Sequence, residues 1–421
     1  MNDGKANLKI GGSLMGENKK IWMYVFASVL VTISTLGFGR ASYGILMPYM
    51  KDSLSLTYGQ AGVLGTATSI GYLGLVLFAG IMAAKWGSKR LVVFGTSLVA
   101  CGLFYISTVQ NFTSSLIGMV VLGIGTAFTY TPLVNIVVGW FPQKRGMMIG
   151  FLGSGMGLGT LTSSLLIPYF TTSFSDSGWR YLWILFGLLS IISVIAAYLI
   201  LRDPPVSLLE KKNKGDSFIR DVYLNKKVLL VAVIYGLIGF AYLIPQSFLF
   251  SFILESRINP YAAGQIMALG GLMSILSGPL WGSISDKIGR KQALLFTISI
   301  GAVSMLIPFV FPVFIGFFAS QFLWGITVVG MLSLIQALST EQIHPSYAPI
   351  ALGYVTVFFA VGQLLGPGIG GWMIDYLGGI PSALLLCCGL LFSAFLLSTR
   401  LAKEGVREPI ILQGIKQPTE G

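Results

Sequence analysis

Arg40 is the residue of this sequence whose position carries the clearest chemical consequence. It stands inside the apolar run GFGRASYGILMPYM, well within the first hydrophobic stretch, and no acidic residue lies within a turn or two of it. A guanidinium in the hydrocarbon of a bilayer costs about 2.5–3.5 kcal/mol even on the most lenient insertion scale. Such a residue therefore either turns toward a water-filled cavity or snorkels to the headgroups. In a cavity it is a fixed cation that pairs bidentately with a carboxylate or phosphate. Tyr242 and Gln246, four residues apart, share one helix face and could add a hydroxyl and an amide; packing between helices is the alternative use.

Other chemistries find little footing. The single histidine, His344, falls in the polar segment EQIHPSY, and Cys101, Cys387 and Cys388 sit in apolar runs without metal or disulfide spacing. Asp176, Glu255 and Asp375 fall near the ends of apolar runs, and the phosphate-binding pattern G-x-x-x-x-G-K-(S/T) does not occur. An enzyme would need clustered His, Asp or Glu, so the sequence reads as a non-enzyme with no cofactor and no metal.

The elements that must position Arg40 are membrane helices. Only 10% of the 421 residues are charged, 54% are hydrophobic and the mean hydropathy is +0.81; a soluble surface needs about 25% charge. Runs long enough to span a bilayer lie near 22–48, 59–82, 91–109, 112–139, 147–170 and 180–201, and again near 228–254, 262–284, 292–311, 313–338, 347–373 and 380–400. Lysine and arginine crowd one set of connections, while the opposite set holds only Lys51, Arg180 and Arg257. The expected orientation is a multi-pass cell-membrane protein with both termini cytoplasmic. The net charge of +12 then reads as orientation and contact with anionic lipid, not nucleic-acid binding. The polar start MNDGKANLKIGGSLMGENKK lacks the apolar core of a signal peptide and reads as a tail. The expected organisation is a tail over 1–20, a six-helix bundle over 21–201, a polar cytoplasmic loop over 202–227, a second bundle over 228–401 and a tail over 402–421.

Shifting the second half back by 202 residues superposes Gly37-Phe38 on Gly239-Phe240, Ala61-Gly62 on Ala263-Gly264, and Gly123 on Gly325. The segment GIMAAKWGSK (80–89) falls on GSISDKIGRK (282–291). Two parallel repeats of six helices, with a site at their interface, are one architecture of secondary transporters. Gly282, Asp286, Lys287, Gly289, Arg290 and Lys291 match G-x-x-x-D-(R/K)-x-G-(R/K)-(R/K), the signature of the major facilitator superfamily, and the chain resembles that family over nearly its whole length. The first copy keeps Gly80, Lys85, Gly87, Lys89 and Arg90 but has Ala84 at the acidic position and Ser88 at a basic one. The resemblance implies that these loops are gating motifs, the acid pairing with basic residues and a helix end. Within the family, WFPQKRGMMIGFLGSGMGLG (140–159) and GWR (178–180) resemble the branch of monocarboxylate transporters and oxalate–formate antiporters. The branch's arginine on helix eight and lysine on helix eleven have no counterpart here. Arg40 with Pro48-Tyr49 also resembles helix one of the organophosphate–phosphate antiporters, whose second arginine is replaced by Tyr242.

The resemblance implies an all-α fold of twelve helices in two pseudo-symmetric bundles, with a cavity lined by helices one, four, seven and ten. Tyr43, Tyr130, Asn135, Tyr242, Gln246 and Gln336 lie on those helices and join Arg40 as candidate substrate-binding residues. The glycines at 150, 153, 155, 157 and 159, and at 362, 366, 368, 370 and 371, are expected to allow close contact between bundles, in static packing or in sliding. The expected function is secondary transport of a small organic anion, a monocarboxylate, by alternating access, with proton symport or anion exchange, in a monomer. The alternative is a drug or metabolite efflux transporter of the same fold.

Overall fold

The computed structural model describes residues 19–141, 145–174, 177–204, 222–341, 343 and 348–401. His344, Asp176, most of the 202–227 connection and nearly all of both tails lie outside the described residues. The first helix, α1, runs over Lys19–Ala41 and continues past Ser42 as Tyr43–Ser53. It is followed by α2 (Tyr58–Trp86), α3 (Ser88–Thr108), α4 (Phe112–Trp140), α5 (Arg145–Phe174) and α6 (Gly178–Ile200). The second half holds α7 (Lys226–Glu255), α8 (Pro260–Ile288), α9 (Arg290–Val310), α10 (Phe314–Glu341), α11 (Ala348–Tyr376) and α12 (Ile380–Thr399). Eleven of these are long and apolar enough to cross a membrane, and α2 qualifies as a pair, Tyr58–Val76 and Phe78–Trp86, bent by 50°.

Local chemistry sets the helix ends. Thr57 opens α2 through a capping box with Gln60, and Asn111, Asn225 and Asn259 accept backbone N–H bonds at the starts of α4, α7 and α8. Gly87 and Gly289, with φ of +90°, break α2 from α3 and α8 from α9. The 202-residue repeat seen in the sequence reappears in these bounds: Tyr58 and Pro260 start equivalent helices, as do Ser88 and Arg290, and Gly178 and Ile380.

In the first bundle α1 packs on α5, α2 on α4, and α3 on α4 and α6; in the second α7 packs on α11 and α12, α8 on α10, and α9 on α10 and α12. The bundles meet along α2 and α11, along α5 and α8, and where the end of α1 crosses α7. Large apolar side chains such as Phe26, Phe78, Leu199, Ile315 and Phe322 stay exposed on the outside, as lipid-facing positions require.

The two ends of the molecule differ. Call the end that carries the first described residue and the last helix's end the basic side, and the other the far side. On the far side, backbone meets backbone across the bundles. A Cβ added to Gly44 would lie 1.7 Å from the Gln246 carbonyl oxygen, one at Gly62 2.1 Å from that of Pro367, and one at Gly264 2.3 Å from that of Ser164. Toward the basic side, a Cβ at Gly80, Gly150, Gly153, Gly282 or Gly353 would meet nothing within 4 Å. The glycine-rich stretches of α5 and α11 serve two purposes, which corrects the expectation that they all face the other bundle. Gly155 and Gly159 let α5 press on α1, and Gly362, Gly366 and Gly370 let α11 press on α7, each inside its own bundle; only Gly157, Gly368 and Gly371 approach the opposite one.

Candidate functional site

Arg40 owes its aim to an irregular stretch of α1. Ile33–Ala41 is wound as a π-helix, and both the N–H and the hydroxyl of Ser42 donate to the Gly37 carbonyl, at 2.9 and 3.0 Å. At Gly37 α5 comes close: a Cβ there would be 2.7 Å from the Gly159 Cα. Such widened turns shift the following side chains around the helix axis, and they recur at functional sites.

The side chain points inward, half-buried, and does not reach for the headgroups. Its Nη2 donates to Ser69 Oγ of α2 at 3.1 Å and to Gln363 Oε1 of α11 at 2.9 Å, so one guanidinium bridges the two bundles. The Tyr72 ring lies under it at 5.4 Å, and the Tyr242 hydroxyl is within electrostatic reach. Among the described residues no carboxylate comes within ion-pair distance of Arg40, and its remaining nitrogens have no protein partner. None of those nitrogens is sealed from solvent-sized space. A guanidinium has five N–H donors, so most of its capacity stays unspent.

Tyr130 and Tyr235 extend this polar wall: Tyr235 lies within electrostatic reach of Tyr72, Tyr130 and Tyr242, stacks on Phe359 at 4.2 Å, and accepts a 2.7 Å hydrogen bond from Gln336 Nε2. On the other flank of α1, Ala41, Met156, Tyr242, Gln246, Gln321 and Trp324 belong to the wall of a pocket between α1, α5, α7, α8 and α10. Tyr242 donates weakly to Met156 Sδ (3.4 Å), and Gln246 Nε2 to the Ala41 carbonyl (3.4 Å).

Of the candidate residues named from the sequence, Arg40, Tyr130, Tyr242 and Gln246 converge on this interior, and Gln336 reaches it through Tyr235. Tyr43 does not line the pocket. It is buried and donates to the Ala61 carbonyl at 2.6 Å, holding α1 against α2. Asn135 is exposed and makes no hydrogen bond among the described residues. Sequence reasoning passed over Ser69, Tyr72 and Gln363, because the resemblance directs attention to helices one, four, seven and ten. Gln363, the one amide side chain in α11, was the available signal.

The far side is closed by side chains as well as by glycines. Asp375, near the end of α11, accepts from the backbone N–H of Tyr58 at 3.0 Å and of Gly59 at 2.6 Å, so a carboxylate of one bundle caps a helix of the other. Tyr58 also donates its hydroxyl to Glu255 at the end of α7. On the basic side the motif residues act within their own bundles. Asp203, beyond α6, accepts from the Lys89 N–H at 2.7 Å and packs on Gly87, taking a carboxylate to the loop whose own acidic position is Ala84. Arg290 pairs with Glu341, and Lys291 donates to the carbonyls of Thr399 and Leu401. Lys85, Arg90, Asp286 and Lys287 are exposed, and Asp286 makes no hydrogen bond or ion pair among the described residues. The pairing of that acid with a helix end, implied by the resemblance, is not made among the described residues.

Two repeated six-helix bundles enclosing a half-buried cation define a polytopic membrane protein of carrier architecture. The model of the Major Facilitator Superfamily matches residues 29–302 and 249–414, and the chain belongs to that family. It is similar to the oxalate:formate antiporter of Oxalobacter formigenes (24% identity, 90% of each chain). It is also similar to the hexuronate transporter of Bacillus subtilis strain 168 (22%, 88% of this chain and 92% of the other) and to monocarboxylate transporter 12 of Rattus norvegicus (24%, 92% and 87%). Among solved structures the fold matches the nucleoside transporter NupG, with a TM-score of 0.71 at 16% identity, covering 91% of this chain and 98% of that one. It also matches a bacterial homolog of the human lysosomal transporter Spinster in an inward-facing, unoccupied conformation, with a TM-score of 0.70 at 15% identity, covering 90% and 97%.

Proposed function

We infer that the chain is a secondary carrier of a small monocarboxylate, working by alternating access in the cell membrane with its basic side in the cytoplasm. The observation that carries this reading is Arg40: a guanidinium between the bundles, held by two neutral oxygens and facing open space with most of its donors unspent. A carboxylate entering that space gains a charge-assisted, bidentate partner that Ser69 and Gln363 do not replace. One cation matches one negative charge. The oxalate, monocarboxylate and hexuronate names of distant relatives support an acidic cargo in the same terms.

The closed far side and the bare glycines toward the basic side support a state whose cavity opens to the cytoplasm. The opposite state requires Asp375 to leave the N-terminus of α2 and the basic-side glycines to come into contact. Anion exchange needs no further ionisable group in the cavity, and in symport the proton can travel on the cargo's own carboxyl. The aromatic wall would also suit lipophilic cations, as in drug efflux, but Arg40 repels them.

Uptake of labelled lactate or pyruvate into proteoliposomes tests the reading, with oxalate as the dicarboxylate control. Arg40→Lys keeps the charge and loses the planar fork, and is expected to raise KM about tenfold; Arg40→Ala is expected to raise it at least about a hundredfold. Transport of an anion that is indifferent to both substitutions, or the absence of any anion transport, overturns the reading.

A further inference from the structure

Across α1 from Arg40, the pocket wall holds polar groups that neither the fold nor anion binding uses. Gln321 of α10 is only 4% exposed and lines the pocket between α1, α5, α7, α8 and α10, yet its amide has no hydrogen-bond partner among the described residues. Neither amide atom is among the buried polar atoms cut off from solvent-sized space, and the residue is part of the pocket wall. Its place is made by a missing side chain: a Cβ on Gly270 of α8 would sit 2.1 Å from Gln321 Oε1. Burying an amide without a partner is costly, and natural proteins rarely leave one so unless something else completes it.

Three residues on, Trp324 presents the same feature from the same helix face. It is 6% exposed and lines the pocket. Its Cζ3 edge rests toward α9, 3.5 Å from where a Gly301 Cβ would be, so the edge that bears Nε1–H lies away from that helix. That N–H has no partner among the described residues and is not sealed, in contrast to the indole of Trp281, which donates to the Ile326 carbonyl at 2.8 Å.

We propose that Gln321 and Trp324 form a second, uncharged subsite that binds a hydroxyl on the tail of the anion held at Arg40. The inference rests on the anion-carrier reading and specifies its cargo as a hydroxylated monocarboxylate. The indole N–H can only donate, whereas the amide both donates and accepts. A hydroxyl satisfies the pair at once: it accepts from Trp324 and donates to Gln321 Oε1. A second carboxylate does not fit, because the pocket wall holds no lysine or arginine and Oε1 would oppose it. A plain alkyl tail would fill the space against Met156, Met267 and Val328 but leave both polar groups unpaired. Tyr242, which lines the pocket and lies within reach of Arg40, joins the two subsites.

Competition binding to the purified full-length protein tests this with four named acids: D-gluconate, 4-hydroxybutyrate, butyrate and succinate. At least one hydroxylated monocarboxylate is expected to bind about 5- to 10-fold or more tightly than butyrate, and succinate no better than butyrate. Trp324→Phe keeps a ring and removes only the N–H, and Gln321→Leu removes the amide. Each is expected to bring the hydroxylated-to-plain ratio to within about twofold, through weaker binding of the hydroxylated acid, tighter binding of butyrate, or both. Equal binding of hydroxylated and plain acids by the wild type, preference for succinate, no binding of any of the four, or an unchanged ratio in Trp324→Phe overturns the subsite. The anion reading fails separately, if Arg40→Gln leaves butyrate affinity untouched; the ratio between the two kinds of acid remains the readout for Gln321 and Trp324.

Discussion

Replacing Asp375 by alanine removes the carboxylate with which the second bundle caps helix α2 of the first. Two N–H bonds, at 3.0 and 2.6 Å, end on that group, and it sits at the positive end of a 29-residue helix. A cap is worth about 1 kcal/mol, and a carboxylate at a helix N-terminus about 0.3–1 kcal/mol more. Asp375 is exposed, so solvent screens the charge and water takes over part of the lost bonding. The loss applies only to the closed far side, since separation of the bundles breaks the contact anyway. The net shift is about 1–2 kcal/mol toward far-side opening, or roughly 5- to 30-fold in its population. Ser247, 5% exposed and packed near Gly65 where α7 meets α2, is the position to watch. In a background with Cys101, Cys387 and Cys388 replaced by serine, Ser247→Cys is labelled by a membrane-impermeant maleimide from the far side. Where closing outruns labelling, the rate follows the open population. Asp375→Ala should raise it about 5- to 30-fold, and a change below about twofold refutes the reasoning.

Gly264→Val should wedge α5 from α8, since even a Cβ would lie 2.3 Å from the Ser164 carbonyl oxygen. Labelling at position 247 should then rise and uptake fall, whereas Gly353→Val, with nothing within 4 Å of its Cβ in this state, should not raise the labelling. Gly87→Ala forces alanine to φ +90° and puts a Cβ 2.7 Å from Asp203 Oδ2, a cost of about 1–2 kcal/mol visible as a lowered unfolding temperature. Gly80→Ala, in open space within a helix, should leave that temperature unchanged or raise it. Tyr235→Phe removes the acceptor of Gln336 and should raise KM less than Arg40→Lys does, because Tyr235 is buried and makes no hydrogen bond to Arg40.

The helices were legible because a bilayer allows few alternatives. Apolar runs of the right length must be helices, and the breaks near 139–147 and 311–313, the least distinct in the sequence, are observed at Trp140–Arg145 and Val310–Phe314. The end of α1 was misjudged by about a turn, since Lys51 and Asp52 look like loop residues yet finish the helix. Arg40 was legible through the cost of its charge. The uncharged residues around it were not. Gln246, Gln336 and Gln363 look alike in sequence, and only the three-dimensional arrangement tells which amide meets a carbonyl, a tyrosine or the guanidinium. Tyr43 looks no different from Tyr242, yet one closes a helix pair and the other lines the pocket. Asp375 and Glu255 were read as residues near helix ends; their use across the bundle interface depends on a distant segment that periodicity does not reveal.

The scaffold repeats every 202 residues, but the cation at Arg40 does not: the equivalent position is Tyr242. A ligand there finds two halves alike in shape and unlike in charge, so turning it end for end is not energetically neutral. For the proposed monocarboxylate, the acidic end would be directed to α1 and the other end to α8 and α10. Two halves of one fold would then carry a passenger held in a single orientation.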